Sequence, residues 1–231
     1  MVLATLLLGG GAGVVAWLWI WPAGLPLIII WAWVISFFRD PQRVGQFADG
    51  EMCAPADGTV TEIVRLEHHE LTGGPALKIG IFLSIFDVHV NRSPCAGTIT
   101  SARYAKGRFL DARDPDSGRV NESNTLVIAP APPLQGPIVV RQVAGTIARR
   151  IVCHVHQGDR LASGERFGMI KFGSRTELIV PGDVPTEVAV EVGAKVKAGM
   201  TVLVRQRPVK AEGEGDGDHR QVGQVESTTT A

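Results

Sequence analysis

The stretch VHQGDRLASGERF (Val155–Phe167) returns further along the chain as VEVGAKVKAGMTV (Val190–Val202), and this echo decides the fold. Val155 and Val190, Gly158 and Gly193, Leu161 and Val196, and Gly164 and Gly199 fall at one constant offset. Paired glycines with an apolar residue midway predict two turns flanking a short strand. A second echo is shorter: Gly58-Thr59-Val60, Gly97-Thr98-Ile99 and Gly145-Thr146-Ile147 each set β-branched residues behind a glycine, which predicts a strand start. Beyond Gly50 the apolar runs are strand-length and broken by Gly, Pro and Asp. The expectation is a mainly β, compact, internally duplicated body.

The duplicated turns resemble the barrel-sandwich hybrid of biotinyl and lipoyl carrier domains, which implies a β-sandwich of that type. Around it the chain divides into three. Residues 1–38 carry no charged side chain and hold all five tryptophans. Val2–Trp21 is long enough to cross a bilayer core, Pro22-Ala23-Gly24 breaks it, and Leu25–Phe38 forms a shorter second run. This predicts a helical membrane anchor or hairpin. Arg39 and Arg43, directly after it, favour a body on the cytoplasmic side of the cell membrane. Residues 39–210 form the β domain, in which Arg108–Asn124 reads as a polar loop. Residues 211–231 lack an apolar period and read as a disordered tail.

Lys plus Arg and Asp plus Glu both number 23, so no global basic field points to nucleic acid. Cys53, Cys95 and Cys153 are scattered without CxxC spacing and read as small hydrophobes in a reducing compartment.

Three places carry candidate chemistry. In IFLSIFDVHVNRSP (Ile81–Pro94), Asp87, His89 and Asn91 share a face if the segment is extended, and an imidazole between valines has a tunable pKa. The alternative is a hydrogen-bonded core histidine. His154 and His156 share a strand face, but no third ligand accompanies them, so no metal is expected; His68-His69 reads as surface. Asp57, in a Pro-Ala-Asp-Gly turn, is either ordinary turn chemistry or a carboxylate orienting an imidazole. Gly173-Ser174, in MIKFGSRTELIVP (Met169–Pro181), reads on composition alone as a turn.

Taken in order, FFRDPQR, APADGTV, IFLSIFDVHVNRSP, GRFLDARDPDSGRVNESN and GERFGMIKFGSRTELIVP resemble the phosphatidylserine decarboxylase proenzymes, in their short, archaeal-type class. The resemblance covers Phe37 to Pro181 and implies a role for Gly173-Ser174. That bond would cut itself, leaving a β chain of 1–173 and an α chain of 174–231 that begins with a pyruvoyl group made from Ser174. The ketone would take the amine of phosphatidylserine and accept electrons as carbon dioxide leaves, so phosphatidylethanolamine forms without a metal. Asp57 resembles the family's triad aspartate, and His89 the histidine beside the substrate carboxylate. Arg92 stands where longer members have a second histidine, so the cleavage base is His89 first, with His154 or His156 in reserve. Arg92, Arg39 and Arg43 are candidate contacts to the lipid phosphate. The expected partners are phosphatidylserine, membrane lipid and the two chains of one proenzyme, and a homo-oligomer is compatible. Two rivals stand beside this reading: a non-enzymatic membrane-anchored carrier or adaptor, and a serine hydrolase using Ser174 with Lys171. Neither the carrier's modified-lysine motif nor a GxSxG elbow is present.

Overall fold

The structure is a computed structural model that describes residues 2–18, 21–112, 114, 116–146, 150–170 and 174–207. Its N-terminal segment is a pair of apolar helices, α1 (Val2–Trp17) and α2 (Trp21–Phe37), packed against each other. The break between them falls earlier than Pro22-Ala23-Gly24 predicts. Proline is tolerated in a first helical turn, where its missing N–H has no partner to lose, so Pro22 lies inside α2. Among the described residues no helix is long and apolar enough to cross a membrane.

The body follows as β1 (Glu51–Cys53), β2 (Gly58–His69), β3 (Gly74–Leu83), β4 (Val90–Arg92), β5 (Gly97–Ala105), α3 (Ser117–Val120), β6 (Ser123–Pro130), β7 (Ile138–Val143), β8 (Ile151–Cys153), β9 (Arg160–Leu161), β10 (Arg166–Ile170), β11 (Ser174–Pro181), β12 (Thr186–Val188), β13 (Lys195–Val196) and β14 (Val202–Gln206). The strands form an eight-stranded antiparallel sheet in the order β13-β2-β3-β11-β7-β6-β5-β9 and two three-stranded sheets, β1-β14-β12 and β4-β10-β8.

The two sequence echoes are each other's partners. Gly97 and Thr98 pair with Leu161 and Arg160, while Gly58 and Thr59 pair with Val196 and Lys195. The Gly158 N–H donates to the Ile99 carbonyl and the Gly193 N–H to the Val60 carbonyl, both at 2.8 Å. Gly158 and Gly193 have φ of 97° and 93°, and Gly164 and Gly199 have 76° and 67°, a region closed to most side chains. The sheet order is therefore a palindrome about β11 and β7. One half is β4 to β10; the other joins β1–β3 to β11–β14.

Alternation along the strands sorts the core. Leu77, Ile79, Ile81, Leu83, Leu178 and Val180 enter one cluster with Phe167, Val196 and Leu203, whereas Ala76, Val139 and Ile179 face a small second cluster. Strand β11, paired with β3 and β7 and buried at every position, lies at the centre.

Two local expectations are corrected. The third glycine echo, at Gly145-Thr146, starts no strand; β8 begins at Ile151, while Ile147 lies outside the described residues. The segment Arg108–Asn124 is not wholly a polar loop: it contains α3 and ends in β6, with Ser117, Asn121 and Asn124 buried. The Asn121 side chain accepts from the Leu110 N–H at 2.9 Å and donates to the Leu110 and Ala144 carbonyls at 2.9 and 2.8 Å. Polar side chains enter the interior here because the amide satisfies the segment's backbone groups. The tail from Ala211 lies outside the described residues.

Candidate active site

Ser174 opens β11 and is fully buried, yet its hydroxyl oxygen has no hydrogen-bond partner among the described residues. The residues just before it, Lys171–Gly173, lie outside the described residues, so only the serine side of the expected cleavage bond is placed. That segment is bracketed. Ser174 pairs with Leu83 on β3, and on the near side the Ile170 N–H donates to the His89 carbonyl at 3.3 Å. Leu83 and His89 thus contact the two described residues, Ser174 and Ile170, that flank it.

His89 is fully buried, and its Nδ1 lies 2.9 Å from the Asp87 carbonyl. An acceptor carbonyl requires Nδ1 to carry the proton, which leaves Nε2 with its lone pair. Nε2 is buried and has no hydrogen-bond partner among the described residues. Phe37, at the end of α2, lies against the imidazole with ring centres 4.2 Å apart. Burial pushes the His89 pKa below its ordinary value, against the opposing pull of the Asp87 carbonyl and the charges of Asp87 and Asp57.

Asp87 does not share the face of His89 and Asn91. It sits in a turn, where its carboxylate accepts from the Ser84 N–H at 2.8 Å, and strand geometry begins only at Val90. Asn91 instead joins a buried amide ladder. Asn124 donates to Gln142 at 2.9 Å, Gln142 to Asn91 at 2.9 Å, and Asn91 to the Thr176 hydroxyl at 3.2 Å. Thr176 is two residues along β11 from Ser174, so the ladder ties the small β4-β10-β8 sheet to the strand that carries the serine.

Asp57 is buried, and its carboxylate receives both terminal nitrogens of Arg43, at 2.5 and 2.8 Å, and the Ala198 N–H at 2.8 Å. Arg43 also donates to the Ala198 carbonyl at 2.8 Å. The carboxylate is thus held by a guanidinium and a backbone amide. Among the described residues no imidazole bonds to it. Arg92 is spoken for as well. Its guanidinium donates to the Gly164 carbonyl at 3.0 Å, the Pro41 carbonyl at 3.1 Å and Asp40 at 3.2 Å, fastening residues 40–41 to the body.

The reserve histidines lie elsewhere in the fold. His154 is exposed with Nε2 at 3.1 Å from the Arg166 carbonyl, and His156 is exposed beside Asp159. His69 is half-buried rather than superficial, and burial lowers its pKa. All three cysteines are free thiols, and burial pushes Cys53 up to about 11 and Cys95 up to about 12, as expected of inert hydrophobes. Among the described residues no group of three His, Cys, Asp or Glu is placed to hold a metal. A cavity of about 470 Å³ opens beside the Asp57–Arg43 pair and is also lined by Arg39, Val88, Lys197 and Met200.

The family model for phosphatidylserine decarboxylase matches residues 30–204. The chain belongs to the phosphatidylserine decarboxylase family. Its relatives in this family include the phosphatidylserine decarboxylase proenzyme of Rhodopirellula baltica, 44% identical over 206 residues that cover 89% of this chain and 83% of the relative. The proenzyme of Symbiobacterium thermophilum is 46% identical over 183 residues, covering 79% of this chain and 81% of the relative. That of Geobacter sulfurreducens is 44% identical over 186 residues, covering 80% and 82%. The resemblance read from five short motifs therefore holds over most of the chain.

Sequence reading named Ser174, His89 and Asp57 as candidates but not what surrounds them. Phe37 and Arg43 stand in FFRDPQR, Phe37 at the end of an apolar run and Arg43 as a candidate phosphate contact, with no sign that they meet His89 and Asp57. Nothing in the spacing of Asn91, Thr176, Asn124 and Gln142 announces that they meet, because each comes from a different strand.

Proposed function

We propose that this chain is a proenzyme that cuts itself between Gly173 and Ser174 and then decarboxylates phosphatidylserine to phosphatidylethanolamine. The observation that carries the reading is the unpartnered, fully buried Ser174 hydroxyl at the head of the central strand. A buried hydroxyl without a hydrogen bond costs about 1–3 kcal/mol, and such groups call for an explanation in function. A nucleophile awaiting an adjacent carbonyl is one.

His89 Nε2 is the base we assign, being the lone-pair nitrogen on the segment that brackets the serine. The Ser174 Oγ attacks the Gly173 carbonyl as its proton passes to the base, and the peptide bond becomes an ester. Loss of the Ser174 Cα proton expels the Gly173 carboxylate and leaves dehydroalanine, which takes up water and releases ammonia. The resulting ketone, bonded to an amide carbonyl, supplies an electron sink for an amine-bearing substrate. The chain's own groups do the rest. The burial of Ser174 excludes water from the carboxylate that is lost, and His89 returns a proton to the carbon. Asp57 keeps a negative charge near the imidazole, with Arg43 fixing its orientation.

The two chains would stay together without the bond. The 174–231 chain carries β11, which pairs with β3 and β7, and β13 and β14, which pair with β2 and β1. We read this frame as a barrel-sandwich-hybrid type. The helical pair, with Leu3, Leu6, Leu7, Ile28, Ile29 and Ile30 exposed, is read as the anchor that holds it on the cytoplasmic face of a membrane. Removing residues 1–30, which spares Phe37, is expected to move the protein from the membrane pellet to the supernatant with its cleavage intact. Retention in the pellet would assign membrane binding to the body.

Intact mass of the purified protein tests the chemistry. Two chains meeting between Gly173 and Ser174, the smaller one shifting in mass with a carbonyl-reactive amine, are expected. One unmodified chain would favour the carrier reading instead.

A further inference from the structure

The cavity beside Asp57 is lined by cations that have no carboxylate partner among the described residues. Arg43 is consumed by Asp57, but Arg39 and Lys197 line the same space, and among the described residues no carboxylate pairs with either. Arg39 donates only to neutral acceptors: the Ser36 carbonyl at 2.7 Å, the Ser36 hydroxyl at 3.1 Å and the Phe86 carbonyl at 2.6 Å. Those bonds use three of its five donors and hold the guanidinium in place. Lys197 is set by the backbone that follows it, since Ala198 gives its N–H to Asp57 and takes a hydrogen bond from Arg43 on its carbonyl.

The internal duplication sharpens this. Lys197 occupies the place that Ala162 holds in the other copy of the repeat, so the fold does not require a cation there. The half of the molecule that faces Asp57 has one; the other half has none. Apart from Gln42, the cavity's remaining wall is apolar, with Pro41, Val88 next to His89, Met200 and the 85% exposed Val44, and Arg39 stands at the foot of the helical pair. Two unneutralised cations beside an apolar rim suit a singly charged phosphodiester whose acyl chains leave towards the helices.

We propose that Lys197 and Arg39 form the seat of the phosphodiester of a phospholipid head group, with Lys197 the residue that sets affinity. This rests on the decarboxylase reading and names the contact that orients its substrate. The amino and carboxyl ends of the head group would then extend past Val88 towards His89.

The test uses full-length, matured protein and dihexanoyl-phosphatidylserine below its micelle concentration, so that attraction to a membrane surface plays no part. Lys197→Gln is expected to self-cleave normally, to raise KM about tenfold and to change kcat less than about twofold, with Lys197→Arg restoring KM. An unchanged KM in an otherwise active variant overturns the proposal. So does a loss seen only on vesicles, which would make Lys197 a membrane-surface contact. If the wild type turns over no lipid, the decarboxylase reading fails separately, and the site is judged by phosphorus NMR with glycerophosphoserine. Line broadening lost in Lys197→Gln supports the seat, and equal broadening in both proteins overturns it. Inorganic phosphate competing as strongly as the head group would show a free-phosphate site and overturn the lipid assignment.

Discussion

Replacing Ser174 with alanine is expected to leave one uncut chain that folds as the wild type does and has no decarboxylase activity. The hydroxyl is the attacking group and, as the ester oxygen, the leaving group whose expulsion makes dehydroalanine; alanine supplies neither. Folding should survive because the hydroxyl makes no hydrogen bond among the described residues of the uncut protein, so removing it orphans none of them. Alanine there can even stabilise the uncut chain slightly. Electrophoresis and intact mass read the cleavage, and a thermal melt reads the fold. A Ser174→Ala chain that still divides at this bond would remove the proposed nucleophile. Ser174→Thr is the informative companion: it keeps the nucleophile but adds a methyl at a fully buried position, so slow or partial cleavage is expected.

His89→Gln is expected to lower the rate of self-cleavage, of decarboxylation or of both by about a hundredfold to ten-thousandfold, the usual range for loss of a positioned proton-transfer group. Glutamine approximates the size of imidazole and can still bond the Asp87 carbonyl, so the loss would report proton transfer and not packing. Wild-type rates within about threefold in both steps would exclude His89 from the chemistry. The pH dependence carries the same information. Because burial lowers the folded pKa of His89, its Nε2 stays free at pH values where an unburied imidazole, near 6.5, is half protonated. The base-dependent step should therefore reach half its maximal rate below pH 6.5 in the wild type. The stability consequence has the same direction: the unfolded chain takes up the proton first, so this contribution to stability is complete above about pH 6.5 and is lost as pH falls below it. In His89→Gln both trends should flatten.

The division of labour between the halves explains why a cut protein can hold together. The proposed cleavage would separate β10 from β11, two strands that belong to different halves of the duplication and to different sheets. The bond proposed to break connects two strands that are each paired elsewhere, β10 with β4 and β8 and β11 with β3 and β7.

Much of this was legible in the chain itself. The glycine echoes specified the duplication, since only a residue free to take φ near 70–97° fits those four turns, and such a demand shows in sequence. Ser174, His89 and Asp57 were likewise named as candidates, each inside a motif whose residue types are local. What the sequence did not hold was which side chains meet. Arg43 was read as a charge facing lipid, but it closes on Asp57, fourteen positions away. Arg92 was read as a substrate contact, but it fastens Asp40 and Pro41. The helix break fell before Pro22 because a first turn accommodates proline, which the proline alone does not reveal. Periodicity and turn chemistry are properties of neighbours along the chain, so the sequence determined the strands, the repeat and the reactive residue types. Ion pairing, the stacking of Phe37 on His89 and the amide ladder behind Ser174 depend on strand order and register across distant segments, and only the tertiary structure decided those.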